Sequence, residues 1–292
     1  MNLSHLLQAE ELAEALVEGL RRELYLTPKP GLVDLWDNGS HRDLDLEMMD
    51  ASIELIEEYQ HRLLEALRRD APLKTLVAIG QDAEVGMFKR FGTNTHKGAI
   101  FLCGLLVAAQ ARSGAREPAQ LSAATAELAE EFFALGQVPP SHGKKVRQRF
   151  GRGGIILEAL RGLPALFQTA LPAWRDGIAL CGDPAEAGFF VLARLMQQVE
   201  DTTALHRCGE LGLARLRQDG RFLEAALSSG RSVRQHLTLL NEEYCQMNLT
   251  MGGVADLLGV AFGYLEYRGE LKAEERAQRL PGMALPGGYV CL

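Results

Sequence analysis

The chain has few of the features that mark a secreted, membrane or disulfide-stabilised protein. Its five cysteines are scattered, odd in number and free of CxxC pairs, which argues against a disulfide framework or a structural zinc site and favours reduced thiols in the cytoplasm. Residues 1–10 have no basic segment leading into an apolar one, unlike a secretory leader. The longest apolar run, 99–109, falls well short of the roughly 20 residues that span a bilayer, so we expect a buried helix and no membrane segment.

A basic surface and a high content of sheet-forming residues are also absent. The formal net charge is −7, which argues against non-specific nucleic-acid binding. Aromatic residues make up only 7% of the 292 residues, and Leu, Ala, Glu, Arg and Gln dominate, a composition that favours helix over sheet. We predict an all-α protein with a single compact multi-helical domain over residues 1–268. The tail, 269–292, is charged and then rich in Pro and Gly, and we expect it to be poorly ordered.

Apolar residues recur with the period of a helix along most of the chain, and we find no convincing period-two strand. Ser4 is a candidate cap for the first helix, and Asp183 followed by Pro184 is a strong helix start. The predicted helices cover about 12–24, 49–67, 75–88, 97–111, 122–135, 183–199, 205–217, 233–245 and 254–267.

Polar residues gather in the loops between these helices, and the first two such loops lie before residue 46. In 27–34, two prolines fix the backbone around Lys29. This pattern fits a binding loop, but it fits equally a rigid connection between helices that has no binding role. In 38–45, one His, one Arg and two Asp are close together. If this segment is extended, His41, Asp43 and Asp45 point the same way and could present magnesium carboxylates, with Arg42 free for a phosphate. The alternative is a solvated turn in which an Asp caps the next helix.

The third loop enters the most apolar helix and predicts an anion site. Asn94, Thr95, His96 and Lys97 precede or begin this helix, and free amides at a helix N-terminus favour phosphate. Capping alone would not require His96 and Lys97. Glu84, on the preceding predicted helix, is a nearby candidate carboxylate.

Two further polar loops lie in the C-terminal half. Asp201, in an acidic pair at a helix end and followed by Arg207, fits either metal binding or a surface ion pair. After Asn248, the pair Gly252 and Gly253 permits close backbone approach to a ligand at a helix start. Asp256 lies about one turn into that helix, where a carboxylate can also simply favour the dipole.

Several familiar nucleotide and catalytic motifs are missing. The chain has no Walker A motif, no GxGxxG after a strand, no His/Cys metal spacing and no GxSxG elbow. The loops therefore predict a helical protein that binds a polyanion together with a divalent cation, and a nucleotide is the natural candidate.

Taken together, the loops resemble those of one family, the triphosphoribosyl-dephospho-coenzyme A synthases. The resemblance covers roughly residues 12–265 and is most specific in Lys-Pro-Gly-Leu-Val-Asp and Asn-Thr-His-Lys-Gly. The matching segments, in order, are 28–34, 38–43, 94–98, 162–164, 201–202 and 248–258.

The resemblance implies a definite reaction with two nucleotide substrates. Members of the family join ATP to 3'-dephospho-CoA: the 2'-OH of dephospho-CoA attacks C1' of the ATP ribose, and adenine leaves. The product is the precursor of the prosthetic group of citrate lyase or malonate decarboxylase, and a second transferase loads it onto the carrier protein. Glycosyl transfer of this kind passes through an oxocarbenium-like state, and the triphosphate requires cations and Mg²⁺ for binding.

The resemblance also implies roles for the loop residues. Candidate catalytic residues are Asp34, Asp43, Glu84 and His96. Candidate magnesium ligands are Asp43, Glu84, Asp201 and Asp256; which carboxylate is the base and which binds metal stays open. Substrate and phosphate contacts are assigned to Lys29, His41, Arg42, Asn94, Thr95, Lys97, Arg207, Asn248, Gly252 and Gly253, with a phosphate role for His96 also open.

The sequence departs from the family pattern at Ile156, Thr203, Cys208 and Met251. Ile156 replaces an arginine, so we expect one substrate subsite to be altered. Two alternatives follow: a relative that uses another acceptor or water, and a nucleotide-binding protein without catalysis. The sequence leaves a homodimer open, with no residue that argues for it.

Overall fold

The structure, a computed structural model, describes residues 2–93, 95–136 and 153–271. These residues form eleven α-helices and one π-helical turn without any strand, which confirms the all-α prediction. The elements are α1 Leu3–Tyr25, α2 Leu46–Arg68, α3 Leu73–Phe91, α4 Lys97–Ser113, α5 Pro118–Ala134, α6 Gly154–Leu160, a π-helical turn Ala165–Ala170 that continues into α7 Leu171–Cys181, α8 Pro184–Gln198, α9 Thr202–Ser228, α10 Arg234–Met247 and α11 Gly252–Tyr267. Of the predicted tail, residues 272–292 lie outside the described ranges.

Each predicted helix is present, although some ends differ. The first helix begins earlier than expected: its cap is Asn2, whose side chain accepts from the amide of Ser4, so the prediction of Ser4 as the cap is wrong. The prediction of Asp183 is confirmed, because its carboxylate accepts from the Glu186 amide at 2.9 Å and Pro184 opens α8. α6 and the π-helical turn with α7 were not predicted.

The centre of the fold is a close pair formed by α1 and α11. A Cβ added at Gly19 would lie 2.1 Å from the amide nitrogen of Gly263 and 2.4 Å from the carbonyl oxygen of Gly259, so the two backbones touch there. Only glycine permits this approach. The contact fixes where the first turn of α11 lies relative to α1.

α4 packs against α1, α2 and α11 and is almost completely buried. This confirms the buried helix expected for the apolar run 99–109 and brings Lys97, at the start of α4, beside the first turn of α11. On the other side of α11, α8 packs against α7, α9 and α11, and the rings of Trp174 and Phe262 meet edge to face at 6.1 Å.

Among the described residues, no single helix is long and apolar enough to cross a membrane. Two bent pairs pass the same test of length and composition when their halves are counted together: Lys97–Ser113 with Pro118–Ala134, bent by 108°, and Gly154–Leu160 with Ala165–Cys181, bent by 81°.

Candidate functional site

The first turns of three long helices line one cleft. α4 contributes Lys97 and Gly98, α9 contributes Thr202 and Thr203, and α11 contributes Gly252 and Gly253 to a cavity of about 1040 Å³. Further walls come from His41, Asp43 and Leu44, from α6, from the π-helical turn and from residues 198–200. Helix N-termini carry partial positive charge, which favours an anionic ligand in this cleft.

Asp201 holds two of these helix ends together. Its Oδ1 accepts from the amides of Thr203 at 2.9 Å and Ala204 at 2.8 Å, and its Oδ2 accepts from the amide of Val254 at 2.9 Å. Burial raises the pKa of this carboxyl, while these backbone hydrogen bonds oppose the rise. Both oxygens of the predicted magnesium ligand therefore serve as a cap for α9 and α11.

Asp256 lies half-buried in the cleft against the start of α4. Its Oδ2 would be 2.0 Å from a Cβ added at Gly98, and its carboxylate accepts from the backbone of Ala99. Burial, followed by the nearby charges of Glu23 and Asp201, raises the pKa of Asp256 well above its usual value. A carboxyl with a raised pKa in a cleft is suited to accept a proton.

Lys29 and Asp34 lie outside the cleft and hold their own loop. The buried ammonium of Lys29 is 3.0 Å from Oε1 of Glu23 and donates to the carbonyls of Glu23 and Leu24. Asp34 accepts from the amides of Lys29 at 2.7 Å and Trp36 at 2.8 Å. The predicted phosphate ligand is therefore neutralised by Glu23, and the predicted catalytic carboxylate stabilises the turn.

Arg207 joins three of the predicted loops. Its guanidinium donates to the carbonyl of Ser40 at 2.7 Å, to Oδ1 of Asn248 at 3.1 Å and to Nδ1 of His41 at 3.2 Å. Because arginine only donates, Nδ1 of His41 accepts and the ring donates from Nε2 to Thr250 Oγ1 at 3.0 Å. Burial and the Arg207 charge lower the pKa of His41 to about 4, which keeps the ring neutral.

Asp43 connects the second loop to the third at the rim of the cleft. Its Oδ2 accepts from the hydroxyl of Thr93 at 2.9 Å, and its side chain is 59% exposed. Asp45 instead caps α2 through the amide of Met48 at 2.8 Å, the alternative that the sequence left open. Arg42 is exposed and does not line the cleft.

Lys97 extends into the cleft and forms an ion pair, N to O 2.6 Å, with Glu84. This confirms that Glu84 lies beside the start of α4, although Glu84 itself is not part of the cleft wall. Lys97 is a third exposed, so its ammonium reaches both Glu84 and the cavity.

His96 lies buried beneath the start of α4 rather than in the cleft wall. Its Nδ1 is 2.5 Å from the hydroxyl of Ser52, which donates to the carbonyl of Met49 at 2.8 Å. Since the hydroxyl has one hydrogen, Nδ1 of His96 carries the proton, and Nε2 has no partner among the described residues. Burial and the charge of Lys29 lower the pKa of His96 to about 4.

The structure thus divides the predicted site residues into two groups. Those that line the cleft are His41, Asp43, Thr95, Lys97, Arg207, Gly252, Gly253 and Asp256. Those that do not are Lys29, Asp34, Arg42, Glu84, His96, Asp201 and Asn248. Asn94 lies outside the described residues. Three of the second group contact the first directly or at a helix end: Glu84 pairs with Lys97, Asn248 accepts from Arg207, and Asp201 caps the start of α11.

Glu158, Arg161 and Arg217 are among the charged residues of the cleft wall that had no role in the sequence-based site. Glu158 accepts from the amide of Ala165 at 2.5 Å, and burial raises its pKa. Arg161, close to Glu158, and Arg217, on α9, also line the cleft. Glu158 and Arg161 lie next to the family-like segment 162–164, a signal that could have identified them, whereas Arg217 follows no motif.

The carboxylates predicted to bind magnesium do not form a preorganised metal site among the described residues. Over the ranges that the structure describes, no group of three or more His, Cys, Asp or Glu side chains is arranged to hold a metal ion. Mg²⁺ bound with a nucleotide needs only one or two carboxylates, because phosphates and water complete its shell. The carboxylates Asp43 and Asp256 both line the cleft and fit that requirement.

Comparison with known proteins gives one consistent result. The chain matches, over residues 9–275, the model of the CitG family, ATP:dephospho-CoA triphosphoribosyl transferase. A protein of Azotobacter vinelandii named "Probable 2-(5''-triphosphoribosyl)-3'-dephosphocoenzyme-A synthase" is 40% identical over 262 residues, which cover 86% of this chain and 89% of the relative. A Pseudomonas aeruginosa protein of the same name is 37% identical over 272 residues, 88% of this chain and 92% of the relative.

No solved structure gives a significant match to the chain. The family match covers most of the sequence, including every loop that contributes to the cleft. The chain therefore belongs to the ATP:dephospho-CoA triphosphoribosyl transferase family.

Proposed function

We propose that the cleft binds ATP and 3'-dephospho-CoA and transfers the triphosphoribosyl group of ATP to the second nucleotide. The observation that carries this proposal is the meeting of three helix N-termini with Lys97 and Arg207 at one cavity of about 1040 Å³, in a chain of this family. Cavities that bind small molecules usually have volumes of roughly 300–1000 Å³, so this cleft has the size expected for large ligands.

The reaction exchanges one bond at the anomeric carbon of the ATP ribose. The bond from the 2'-oxygen of dephospho-CoA to that carbon forms, and the bond from the carbon to N9 of adenine breaks. The 2'-OH gives up a proton and the departing adenine takes one, so atoms and charges balance. The carbon develops oxocarbenium character, and the protein must position both reactants and handle these two protons.

The start of α4 is the proposed seat of the triphosphate. Lys97 and Gly98, the first residues of α4, line the cleft, while Asp256 accepts from the backbone of Ala99. Thr95 also lines the cleft, and its buried hydroxyl oxygen has no hydrogen-bond partner among the described residues. Amides at a helix start, an ammonium and a hydroxyl are a common phosphate-binding set.

Asp256 is the proposed base for the 2'-OH. Asp34 and Asp201 use their oxygens on backbone amides, and Glu84 pairs with Lys97. Asp256 is the candidate carboxylate whose raised pKa and place in the cleft both favour proton transfer. A base whose pKa lies closer to the working pH transfers the proton more efficiently.

We propose that Asp43 would hold Mg²⁺ together with phosphate oxygens of the bound triphosphate. When bound, the ion neutralises phosphate charge and fixes the triphosphate conformation. The exposed position of Asp43 at the rim suits a partly hydrated ion, because Mg²⁺ loses its water reluctantly.

The fate of the product is also a proposal. By analogy with the family, a second transferase receives the triphosphoribosyl product and loads it onto a carrier protein of a lyase or decarboxylase.

A cytoplasmic location is supported by the thiols: the four cysteines in the described part of the chain are free, as in reducing compartments.

The test is a chromatographic assay with ATP, MgCl₂ and dephospho-CoA, read for free adenine and for an adduct. We expect adenine only when dephospho-CoA is present, and an adduct in equal amount. Adenine without an adduct would indicate water or another acceptor, and ATP binding without adenine would indicate a non-catalytic nucleotide-binding protein. An Asp256→Asn variant should bind ATP but lose most of its turnover.

A further inference from the structure

Arg217 is a half-buried cation of the cleft wall with no hydrogen-bond partner among the described residues. It lies on α9 and lines the cleft, and its Nε is buried without an acceptor among the described residues. It follows the bend at Gly209, where φ is 66° and ψ is −160°, and so belongs to a different part of the helix from Arg207. A guanidinium on the wall of a cleft without an acceptor would gain a charge-assisted hydrogen bond from an anionic ligand.

The other cations of the cleft wall already have neighbours. Lys97 pairs with Glu84, Arg207 donates to Ser40, His41 and Asn248, and Arg161 lies close enough to Glu158 to lower the pKa of that carboxyl. Arg215, two residues before Arg217, faces away and pairs with Asp219 and Glu243. Arg217 therefore differs from these in forming no hydrogen bond or ion pair within the described part of the chain.

A second unpaired polar group lines the same cavity. The hydroxyl oxygen of Thr95, just before α4, is buried and has no partner in the described part of the chain. Thr95 and Arg217 come from separate elements of the fold. Neither has a hydrogen-bond partner among the described residues. A polar ligand in the cavity would bring acceptors close to both side chains, whereas an apolar ligand would bring none.

We propose that Arg217 binds a phosphate group of one of the two substrates. This inference rests on the proposed function, because it takes the cleft as the nucleotide site. The planar guanidinium offers paired donors that match phosphate oxygens. The same chemistry occurs in the triphosphate of ATP and in the diphosphate of dephospho-CoA, and separate binding measurements distinguish the two sources.

The experiment measures equilibrium binding of ATP, dephospho-CoA and adenosine to the full chain, each alone, by calorimetry or competition. The variants are Arg217→Gln and Arg217→Lys, with Arg221→Gln as the matched control, since Arg221 is exposed one turn further along α9 and does not line the cleft. We expect Arg217→Gln to weaken one phosphate ligand by about 10- to 100-fold, as charge-assisted hydrogen bonds predict. Adenosine binding should stay within about twofold of wild type, because it has no phosphate.

Arg217→Lys keeps the charge but not the paired donors, so we expect an intermediate loss for the same ligand, and it serves as the test if the Gln variant does not fold. Loss of affinity for ATP alone identifies the triphosphate as the group that Arg217 binds. Loss of affinity for dephospho-CoA alone identifies the diphosphate. Unchanged binding of both, or an equal loss for adenosine, would overturn the inference. If the wild type binds neither nucleotide, the proposed function fails and the inference with it.

Discussion

The carboxylate of Asp256 lies directly against Gly98, at a point where any side chain on residue 98 would displace it. A Cβ there would be 2.0 Å from Oδ2 and 2.9 Å from Cγ of Asp256. The glycine thus allows a carboxylate from α11 to sit at the start of α4 and to accept from the Ala99 backbone. The proposed base and the proposed triphosphate seat are in contact through this one position.

Gly98→Ala should therefore impair both turnover and stability. Moving the Asp256 carboxylate by about an ångström costs on the order of 100-fold in rate if it handles the reacting proton, and overpacking costs about 1–3 kcal/mol of unfolding free energy. The measurements are steady-state kinetics and denaturant unfolding. Gly86→Ala is the control, because its Cβ would meet only Leu55 Cδ1 at 4.0 Å; equal kinetic effects of both substitutions would contradict the assignment.

Asp201→Asn should destabilise the junction of α9 and α11. Both carboxylate oxygens of Asp201 accept from backbone amides, and the NH₂ group of Asn cannot accept. At least one hydrogen bond is therefore lost, and we expect the free energy of unfolding to fall by about 1–3 kcal/mol. Asp183→Asn is the control, because its single cap to Glu186 survives as an Asn cap at little cost. Equal loss of unfolding free energy in the two variants would show that Asp201 is an ordinary cap.

His96 should make the stability of the protein depend on pH. Its folded pKa, about 4, lies below the ordinary value near 6.5, so between these values the unfolded chain binds a proton that the native chain does not. Stability contributed by neutral His96 is therefore lost as pH falls through this window. We expect the unfolding free energy of wild type minus that of His96→Asn to fall by about 2 kcal/mol from pH 7.5 to pH 5. A difference that does not change with pH would contradict the buried neutral ring.

Lys97→Gln should weaken ATP binding by about 10- to 100-fold, because a charged donor at the proposed triphosphate seat is lost. Lys89→Gln, an exposed position near the end of α3, should bind ATP like the wild type. Calorimetric titration measures both. Unchanged ATP affinity in Lys97→Gln, with the fold retained, would remove Lys97 from the site.

The sequence predicts the helices best where a long apolar stripe sets the period. α4 is the clearest case, since nearly every residue from Ala99 to Ala111 is buried. α6 and α7 were missed because α6 has only seven residues and α7 follows a π-helical turn, with Pro164 before that turn and Pro172 at the start of α7. These elements are stabilised by tertiary contacts, and no local sequence pattern predicts them.

The sequence predicted which loops form the candidate site, but not which of their residues line the cleft and which stabilise the loops. Lys29 and Asp34 belong to a distinctive motif, yet their partners are Glu23 and their own backbone. Only the folded chain shows that the ammonium is neutralised and buried. Arg217 shows the opposite case, since it belongs to no motif and becomes a candidate only because packing places it in the cleft.

The most direct measurement of the central claim follows the γ-phosphate of ATP. The wild-type protein is incubated with ATP labelled with ³²P at the γ position, MgCl₂ and dephospho-CoA, and the label, free adenine and adduct are quantified. Triphosphoribosyl transfer predicts that the label enters the dephospho-CoA adduct in a one-to-one ratio with released adenine. Label recovered as inorganic phosphate, or an adduct formed without adenine, would contradict it.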